Sequence, residues 1–313
     1  MGSSAVGTAL TPSPAHSEHA GKPSLPDGLE AHPARTADPV APVAGVEQAC
    51  PPGMVLIAGE YCPGLMQPCL EWVSGGVRRC ARFDESRCVG HRFLRRFCID
   101  RYEYPNLAGV KPAVMVSWYD ALRACEIEGK RLCLASEWSF ACEGVQRYPY
   151  PYGQTRDRKV CNFDRPRPSP EPNFELFARP RQVGAEVARL DMRVESGLVA
   201  GCVSPFGVQD MTGNVDEWVL NEDHFEQAET EDRKPPFISG LKGGYWGPIR
   251  AACRPITTAH NEIFRFYQVG FRCCANARVD PDGVADRYTF RLKKWREKAE
   301  LRPEGGPIER PPK

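Results

Sequence analysis

The segment VQDMTGNVDEW, residues 208–218, combines carboxylates with residues that permit a tight turn. Gly213 and Asn214 readily adopt positive φ, so the chain can curl there and point carbonyl oxygens inward. Asp210 and Glu217 flank this turn with negative charge. Because Ca²⁺ prefers carboxylate and carbonyl oxygens as ligands, the segment predicts a calcium-binding turn.

A second polar cluster lies at residues 257–262, with the sequence TTAHNE. His260 stands two positions before Glu262 and near hydroxyl side chains, a combination that can bind a metal ion or transfer a proton. The alternative is a solvated loop without function, which is the commoner origin of a lone His and Glu at this spacing. Nearby are a thiol that could act in catalysis and two guanidinium groups that could hold an anionic ligand or cofactor: Cys253, Arg250 and Arg254.

The elements that position these residues follow from apolar and turn-forming patterns. Residues 53–59 are an apolar run between turn residues, and residues 97–104 alternate apolar with polar side chains, so both are predicted to be strands. Ser117 can cap a helix over residues 118–128, in which apolar residues recur at helical spacing, and Gly129 ends it.

Length and composition indicate one substantial domain with tails. The 313 residues suffice for a buried core, and the formal net charge of +1 gives no support for a nucleic-acid partner. Residues 1–47 are rich in Pro and Ala, which predicts a disordered linker. Residues 48–278 form the predicted domain, and residues 279–313 are expected to form a short exposed helix and a disordered tail. No transmembrane segment is predicted, and the expected partner is a protein or a small molecule.

The chain contains 14 cysteines, a large and even number. They argue for several disulfides in an oxidising compartment, so we expect a periplasmic or extracellular protein, although residues 2–11 show no export signal. A zinc–thiolate cluster is not expected, because the sequence has no CxxC pair.

Two local constraints apply to the pairing of these cysteines. Cys273 and Cys274 are neighbours on a predicted strand, so they point to opposite faces and need separate partners. Cys133 and Cys142 are separated mostly by helix, which places their Cα atoms beyond disulfide reach. One of these two is expected to bond to Cys125 instead.

Three segments, at residues 112–144, 208–218 and 243–273, resemble in order the signature sequences of the formylglycine-generating-enzyme, or sulfatase-modifying factor, family. The resemblance implies a single α+β domain with the irregular, loop-rich fold of that family, which is distantly related to C-type lectins. The family begins its second helix with a capping Thr. Leu134 stands at that position here, so Ser136 is expected to cap the helix instead.

The resemblance also implies two structural calcium sites. Asp216 replaces a family Trp beside the first site, and we expect it to be exposed rather than a ligand. The first site would use Asp210, the carbonyls of Gly213 and Val215, and Glu217, and the second would use Asn162 and the Phe163 carbonyl.

The copper site of active family members is not matched by this sequence. Those members hold Cu(I) with two cysteines five residues apart, just before a segment that residues 250–254 resemble. Trp246 and Ala251 stand in their places. The clustered histidines of iron-dependent relatives are also lacking, so neither copper nor iron is expected as a cofactor.

Three functions follow from these patterns. The favoured one is a calcium-stabilised, disulfide-rich, non-catalytic binding or structural module outside the cytoplasm. The second is an oxidoreductase with a divergent, metal-assisted site built from His260, Glu262 and Cys253. The third is a formylglycine-type oxidase with a displaced cysteine pair, which requires two free thiols side by side in a cleft.

Overall fold

The computed structural model describes residues 49–75, 78–223 and 237–278, together with residues 283, 287 and 291–293. The predicted linker at residues 1–47 lies outside the described residues, as does most of the predicted tail. Residues 287 and 291–293 have helical backbone. Leu292 is buried against the core, which differs from the expectation that the helix in this tail is exposed. None of the helices in these described ranges is long and apolar enough to cross a membrane.

The described residues form a loop-rich α+β fold with short elements, as the sequence predicts. The strands are β1 (Met54–Tyr61), β2 (Leu65–Met66), β3 (Cys69–Trp72), β4 (Cys80–Phe83), β5 (Arg87–Cys88), β6 (Phe93–Asp100), β7 (Arg131–Leu132), β8 (Asp216–Leu220), β9 (Ser239–Lys242), β10 (Ile256–Thr257), β11 (Val269–Phe271) and β12 (Cys273–Asn276). The helices are α1 (Trp118–Ile127), α2 (Ala135–Glu143), α3 (Phe174–Phe177) and α4 (Val183–Leu190).

Two larger sheets organise these elements. The first has the strand order β1-β6-β12-β7, and all its pairs are antiparallel. The second has the order β10-β9-β8-β11, in which β11 runs parallel to β8. Strands β2 and β5, and strands β3 and β4, form two small additional sheets. Both polar segments of the sequence adjoin the second sheet: residues 208–218 lead into β8, and residues 257–262 begin in β10.

The predicted elements agree with the structure to different degrees. The strand expected at residues 53–59 is β1, whereas only the first half of residues 97–104 belongs to β6. The predicted helix is α1, where the Ser117 hydroxyl accepts the N–H of Asp120 at 3.1 Å and the Asp120 carboxylate accepts the N–H of Ser117 at 2.8 Å. Gly129 ends the helix with φ of +69°.

The start of α2 differs from the expectation that Ser136 caps it. Both oxygens of the Glu222 carboxylate accept backbone N–H groups there, from Ala135 at 2.8 Å and from Ser136 at 2.9 Å. Leu134, at the N-cap position, is buried in the core. A carboxylate 86 residues downstream therefore replaces the local cap, and its negative charge suits the positive end of the helix dipole.

All fourteen cysteines lie in the described ranges, and seven disulfides pair them. Cys273 and Cys274 have separate partners, as predicted, and Cys133 and Cys142 do not bond to each other. The expectation that one of those two bonds to Cys125 is wrong, because β12 brings Cys273 to Cys125. The pairs are Cys50–Cys98, Cys62–Cys88, Cys69–Cys80, Cys125–Cys273, Cys133–Cys274, Cys142–Cys253 and Cys161–Cys202.

The core between α1 and the second sheet is built around two tryptophans. Trp118 of α1 donates from Nε1 to the Val219 carbonyl at 3.0 Å, and Trp218 of β8 donates from Nε1 to the Val116 carbonyl at 2.9 Å. Both side chains are buried, and these bonds satisfy their indole N–H groups. They fix β8, and with it the preceding turn, against α1.

Candidate functional site

Residues 208–218 form a buried turn that leads into β8. Asp210, Gly213 and Asn214 have φ of +57°, +84° and +58°. A Cβ at Gly213 would lie 2.3 Å from the Asn162 carbonyl oxygen, so only glycine fits there. The same carbonyl accepts the N–H of Asn214 at 2.8 Å, which joins the two predicted calcium segments directly.

Glu217, the last predicted ligand in this turn, forms a buried ion pair with Arg272. Its Oε1 and Oε2 accept hydrogen bonds from the guanidinium at 2.6 and 2.7 Å, and Oε2 also accepts Trp138 Nε1 at 2.8 Å. Arg272 is 0% exposed and Glu217 is 1% exposed. A carboxylate offers about four lone-pair directions, so one direction, on Oε1, is left for a cation.

Two more carboxyl groups are buried beside this pair. Asp210 Oδ2 accepts the N–H of Gly197 at 2.7 Å. Glu103, which follows β6, accepts hydrogen bonds on Oε2 from the Ser196 hydroxyl at 2.9 Å and from Asn214 Nδ2 at 2.8 Å. Among the described residues, Oε1 of Glu103 is a buried oxygen without a hydrogen-bond partner.

Carboxyl groups outnumber cations here, because Glu103, Asp210 and Glu217 share one guanidinium, that of Arg272, among the residues that the structure describes. Burial, reinforced by the charges of Asp210 and Glu217, raises the pKa of Glu103 well above its usual range. Burial also raises the pKa of Asp210 to about 7, although the Gly197 N–H and Arg272 oppose this shift. A bound cation would take the place of the protons that these raised pKa values favour, so the chemistry of these oxygens fits calcium.

The ligand set of such a site would have to include backbone carbonyls. The described residues contain no group of three His, Cys, Asp or Glu side chains arranged to hold a metal ion. The carbonyls of Gly213 and Val215 would therefore join Asp210 and the free direction on Glu217, and this assignment stays a prediction.

The second predicted calcium segment is also bonded within the protein. Asn162 Nδ2 donates to the Met192 carbonyl at 2.9 Å and to Asn214 Oδ1 at 3.1 Å. Asn162 Oδ1 accepts Arg165 Nε at 3.0 Å. Phe163 is buried next to the Cys161–Cys202 disulfide. The calcium role of Asn162 and Phe163 likewise stays a prediction.

The fold separates the members of the second polar cluster. Cys253 is bonded to Cys142, so it has no free thiol, which corrects its assignment as a catalytic candidate. Glu262 is buried, and its backbone carbonyl accepts the Trp118 N–H at the start of α1 at 3.1 Å. His260 lines a cavity to which Glu262 does not contribute.

The two predicted anion-binding arginines also differ. The Arg254 guanidinium donates to the Glu143 carboxylate and to the carbonyls of Cys62 and Pro63, so it links separate parts of the fold. Arg250 is exposed at the rim of the cavity that His260 lines. Of the two, Arg250 is the one placed to meet a ligand there.

This cavity, which we call the β8–β9 cavity, has a volume of about 260 Å³. The His260 ring stacks on Phe264 with 3.9 Å between centroids. Oε1 of Gln268 is buried and, within the described part of the chain, has no hydrogen-bond partner. The polar residues that line the cavity are Asp216, Tyr245, Arg250, Thr257, His260 and Gln268.

Asp216 is half-buried in this cavity, whereas from the sequence we expect it to be exposed. Burial raises its pKa to about 7, while the backbone N–H of Gly244 partly offsets the shift. Burial lowers the pKa of His260, so the imidazole is mainly neutral at neutral pH. The cavity therefore offers hydrogen-bond donors and acceptors beside one exposed cation, Arg250.

The positions that match the copper ligands are apolar in this chain. Trp246 is buried and packs against Tyr245 and Tyr267. Ala251 is buried in the same cluster as Phe163. Because every cysteine is in a disulfide, the chain presents no thiolate to Cu(I).

Sequence reasoning missed Glu103, Arg272 and Gln268. Glu103 lies in a segment predicted to be a strand, where the pattern suggests a solvated polar position. Arg272 stands inside the GFRC motif, beside two cysteines. A polar residue between apolar strand residues is the signal that could have found Arg272.

Comparison with known proteins gives one family match. Residues 82–277 match the sulfatase-modifying factor enzyme 1-like domain. The chain is 27% identical over 187 residues to the serine/threonine-protein kinase pkn1 of Chlamydia caviae, covering 58% of this chain and 24% of that protein. It is 26% identical over 190 residues to the formylglycine-generating enzyme of Mus musculus, covering 58% of this chain and 43% of that protein.

A relative whose name states inactivity is similar to the same extent. The inactive C-alpha-formylglycine-generating enzyme 2 of Bos taurus is 28% identical over 178 residues, covering 54% of this chain and 52% of that protein. The chain thus spans about a quarter of the length of the kinase and about half that of the other two. The solved structure of CarF is 14% identical with a TM-score of 0.43, covering 71% of this chain and 97% of CarF.

Proposed function

Because the chain belongs to the sulfatase-modifying factor enzyme 1-like domain family, we propose that it is a non-catalytic binding or structural module of that family, working outside the cytoplasm. The observation that carries the proposal is the Cys142–Cys253 disulfide, together with apolar residues at both copper-ligand positions, Trp246 and Ala251. The pairing of all fourteen cysteines also removes the two free thiols that a displaced oxidase site would need.

Several observations support the location and the non-catalytic role. Seven disulfides suit an extracellular or periplasmic protein, since cytosolic thiols are kept reduced. The bovine relative named as inactive supports a role without catalysis. A structural calcium ion held by Asp210, Gly213, Val215 and Glu217 would brace the domain, and the excess of buried carboxylates in that region supports it.

The β8–β9 cavity is the proposed ligand site. Its volume of about 260 Å³ suits a small molecule or one side chain of a partner protein. Arg250 at the rim would attract a negative group. Asp216 and His260 would fix its orientation.

The proposal is tested by incubating the protein with Cu(I), oxygen and a cysteine-containing peptide, and by counting free thiols after denaturation. We expect no free thiol and no conversion of the peptide cysteine to formylglycine, as measured by mass spectrometry. The mouse formylglycine-generating enzyme, assayed in parallel, verifies the conditions. Formation of formylglycine by this chain would contradict the proposal and restore the oxidase hypothesis.

A further inference from the structure

Strand β9 separates two cavities. Leu241 lines the β8–β9 cavity, and the next residue, Lys242, lines a larger one of about 470 Å³ on the other face, since successive strand residues point in opposite directions. We call this second space the α2 cavity, because Ser136 and Ser139 of α2 form one wall. Tyr61 faces it from β1.

Lys242 is buried, and both hydrogen bonds of its amino group go to neutral partners. The residue is 2% exposed, and Nζ donates to the Ser139 hydroxyl and to the Arg254 carbonyl, both at 2.8 Å. The ammonium also lies over the Trp138 ring, 5.4 Å from its centroid. Lys130, by contrast, has the carboxylate partners that a half-buried lysine usually has. Its Nζ lies 2.8 Å from a carboxylate oxygen of Asp100 and 2.8 Å from one of Glu128.

Three carboxylates act on the charge of Lys242, those of Glu143, Glu222 and Asp223, and the first two are already engaged. Glu143 accepts the ion pair from Arg254. Glu222 uses both oxygens for the backbone N–H groups at the start of α2. The third, Asp223, is exposed at the edge of the cavity, where solvent weakens its effect. Burial, reinforced by the charge of Arg254, therefore still lowers the pKa of Lys242 to about 7.

We propose that the α2 cavity binds a small oxyanion, a carboxylate or a phosphate group, as the counter-charge of Lys242. An isolated buried charge is costly, and an anion hydrogen-bonded to Nζ and to the Ser136 hydroxyl would reduce that cost. The cavity is large enough for an anion of metabolite size. Arg287 and Arg291, exposed at its edge, outnumber the single carboxylate of Asp223 there, so the formal charge at the entrance favours an anionic ligand.

The site lies on the opposite face of β9 from the proposed ligand cavity, so it is independent of the proposed function. The Ser139 hydroxyl donates to the Ala135 carbonyl at 2.9 Å, so Ser136 supplies the hydroxyl that a ligand could use. Arg95, which donates to the Ser136 hydroxyl at 3.0 Å, supplies a second buried cation to the wall. Two cations and a hydroxyl donor on one wall are suited to an oxyanion.

The test compares wild type with Lys242→Met, Lys242→Arg and the exposed control Lys111→Met. Thermal unfolding is followed at constant ionic strength with added potassium phosphate or citrate, and binding is measured by calorimetry. We expect one or both anions to raise the Tm of wild type, Lys242→Arg and Lys111→Met, and to leave Lys242→Met unchanged. A response to phosphate alone identifies a phosphate ligand, and a response to citrate alone identifies a carboxylate.

The unliganded proteins give a second readout. Removing a poorly compensated buried charge should leave Lys242→Met at least as stable as wild type without anion. If Lys242→Met does not fold, calorimetry on wild type and Lys242→Arg decides alone. An equal response in Lys242→Met, or no response to either anion in wild type, would overturn the proposal.

Discussion

Arg272 and Glu217 form a fully buried, bidentate ion pair, with nitrogen–oxygen distances of 2.6 and 2.7 Å, at the junction of the two main sheets. Glu217 belongs to β8 of the second sheet, and Arg272 immediately precedes β12 of the first. The same guanidinium compensates the carboxyl groups of Glu103 and Asp210. The Arg272 side chain therefore ties β8 to the connection between β11 and β12, and it offsets part of the negative charge of the acidic turn.

Replacing Arg272 with Met should destabilise the protein strongly. The variant would leave Glu217 buried without its cation, beside two more carboxyl groups. Breaking a buried pair in this way typically costs about 3 to 5 kcal/mol. Chemical denaturation of the oxidised protein measures the free energy of unfolding.

The matched control is Arg82→Met, because Arg82 pairs with Glu71 on the surface at 2.5 Å. Those side chains are 46% and 58% exposed, so the loss should be at most about 1 kcal/mol. Equal losses for the two variants would show that the buried pair has no special role in stability.

Calcium should stabilise the fold if the turn at residues 208–218 binds it. Free Ca²⁺ at about 100 times its dissociation constant would add about 2.7 kcal/mol, and EGTA would remove this increment. Asp210→Asn should weaken the response, because it removes a carboxylate ligand. Asp84→Asn, in the loop between β4 and β5, should respond like wild type. Identical thermal unfolding of wild type in Ca²⁺ and in EGTA would refute the calcium assignment.

The cap on α2 can be tested at Glu222. Glu222→Ala removes the acceptor of two backbone N–H groups and should cost about 0.5 to 2 kcal/mol, as for other N-cap losses. Glu60→Ala, which changes a side chain that is 62% exposed, should stay within about 0.5 kcal/mol of wild type.

A third variant, Leu134→Thr, would supply a capping hydroxyl at the N-cap position of α2. It would also remove a buried Leu side chain from the core, so we expect it to destabilise the protein. Denaturant titration of the three variants distinguishes these effects, and an unchanged Glu222→Ala would exclude the cap.

The same helix start shows how far sequence reasoning reaches. The α1 cap was predictable, because Ser117 and Asp120 are local and bond to each other. The α2 cap was not predictable, because the acceptor is Glu222, which lies far along the chain from the helix start. Asp216 illustrates the same limit: its charge suggested exposure, but the fold of β8 against β9 encloses it. Motif order predicted the family and the turn, whereas pairings between distant segments needed the structure.

Acid should weaken the loop before α3 through Glu186. Its carboxylate accepts hydrogen bonds from Arg189 at 2.7 and 2.8 Å and from the Asn173 N–H at 2.9 Å, and these contacts lower its pKa from 4.5 to about 2. A depressed pKa contributes stability that is present above pH 4.5 and lost as the pH falls towards 2. Glu186→Gln should therefore be less stable than wild type at neutral pH and show a flatter stability profile between those pH values. Glu175→Gln, whose side chain is 80% exposed, should keep the wild-type slope. Parallel profiles for wild type and Glu186→Gln would contradict the prediction.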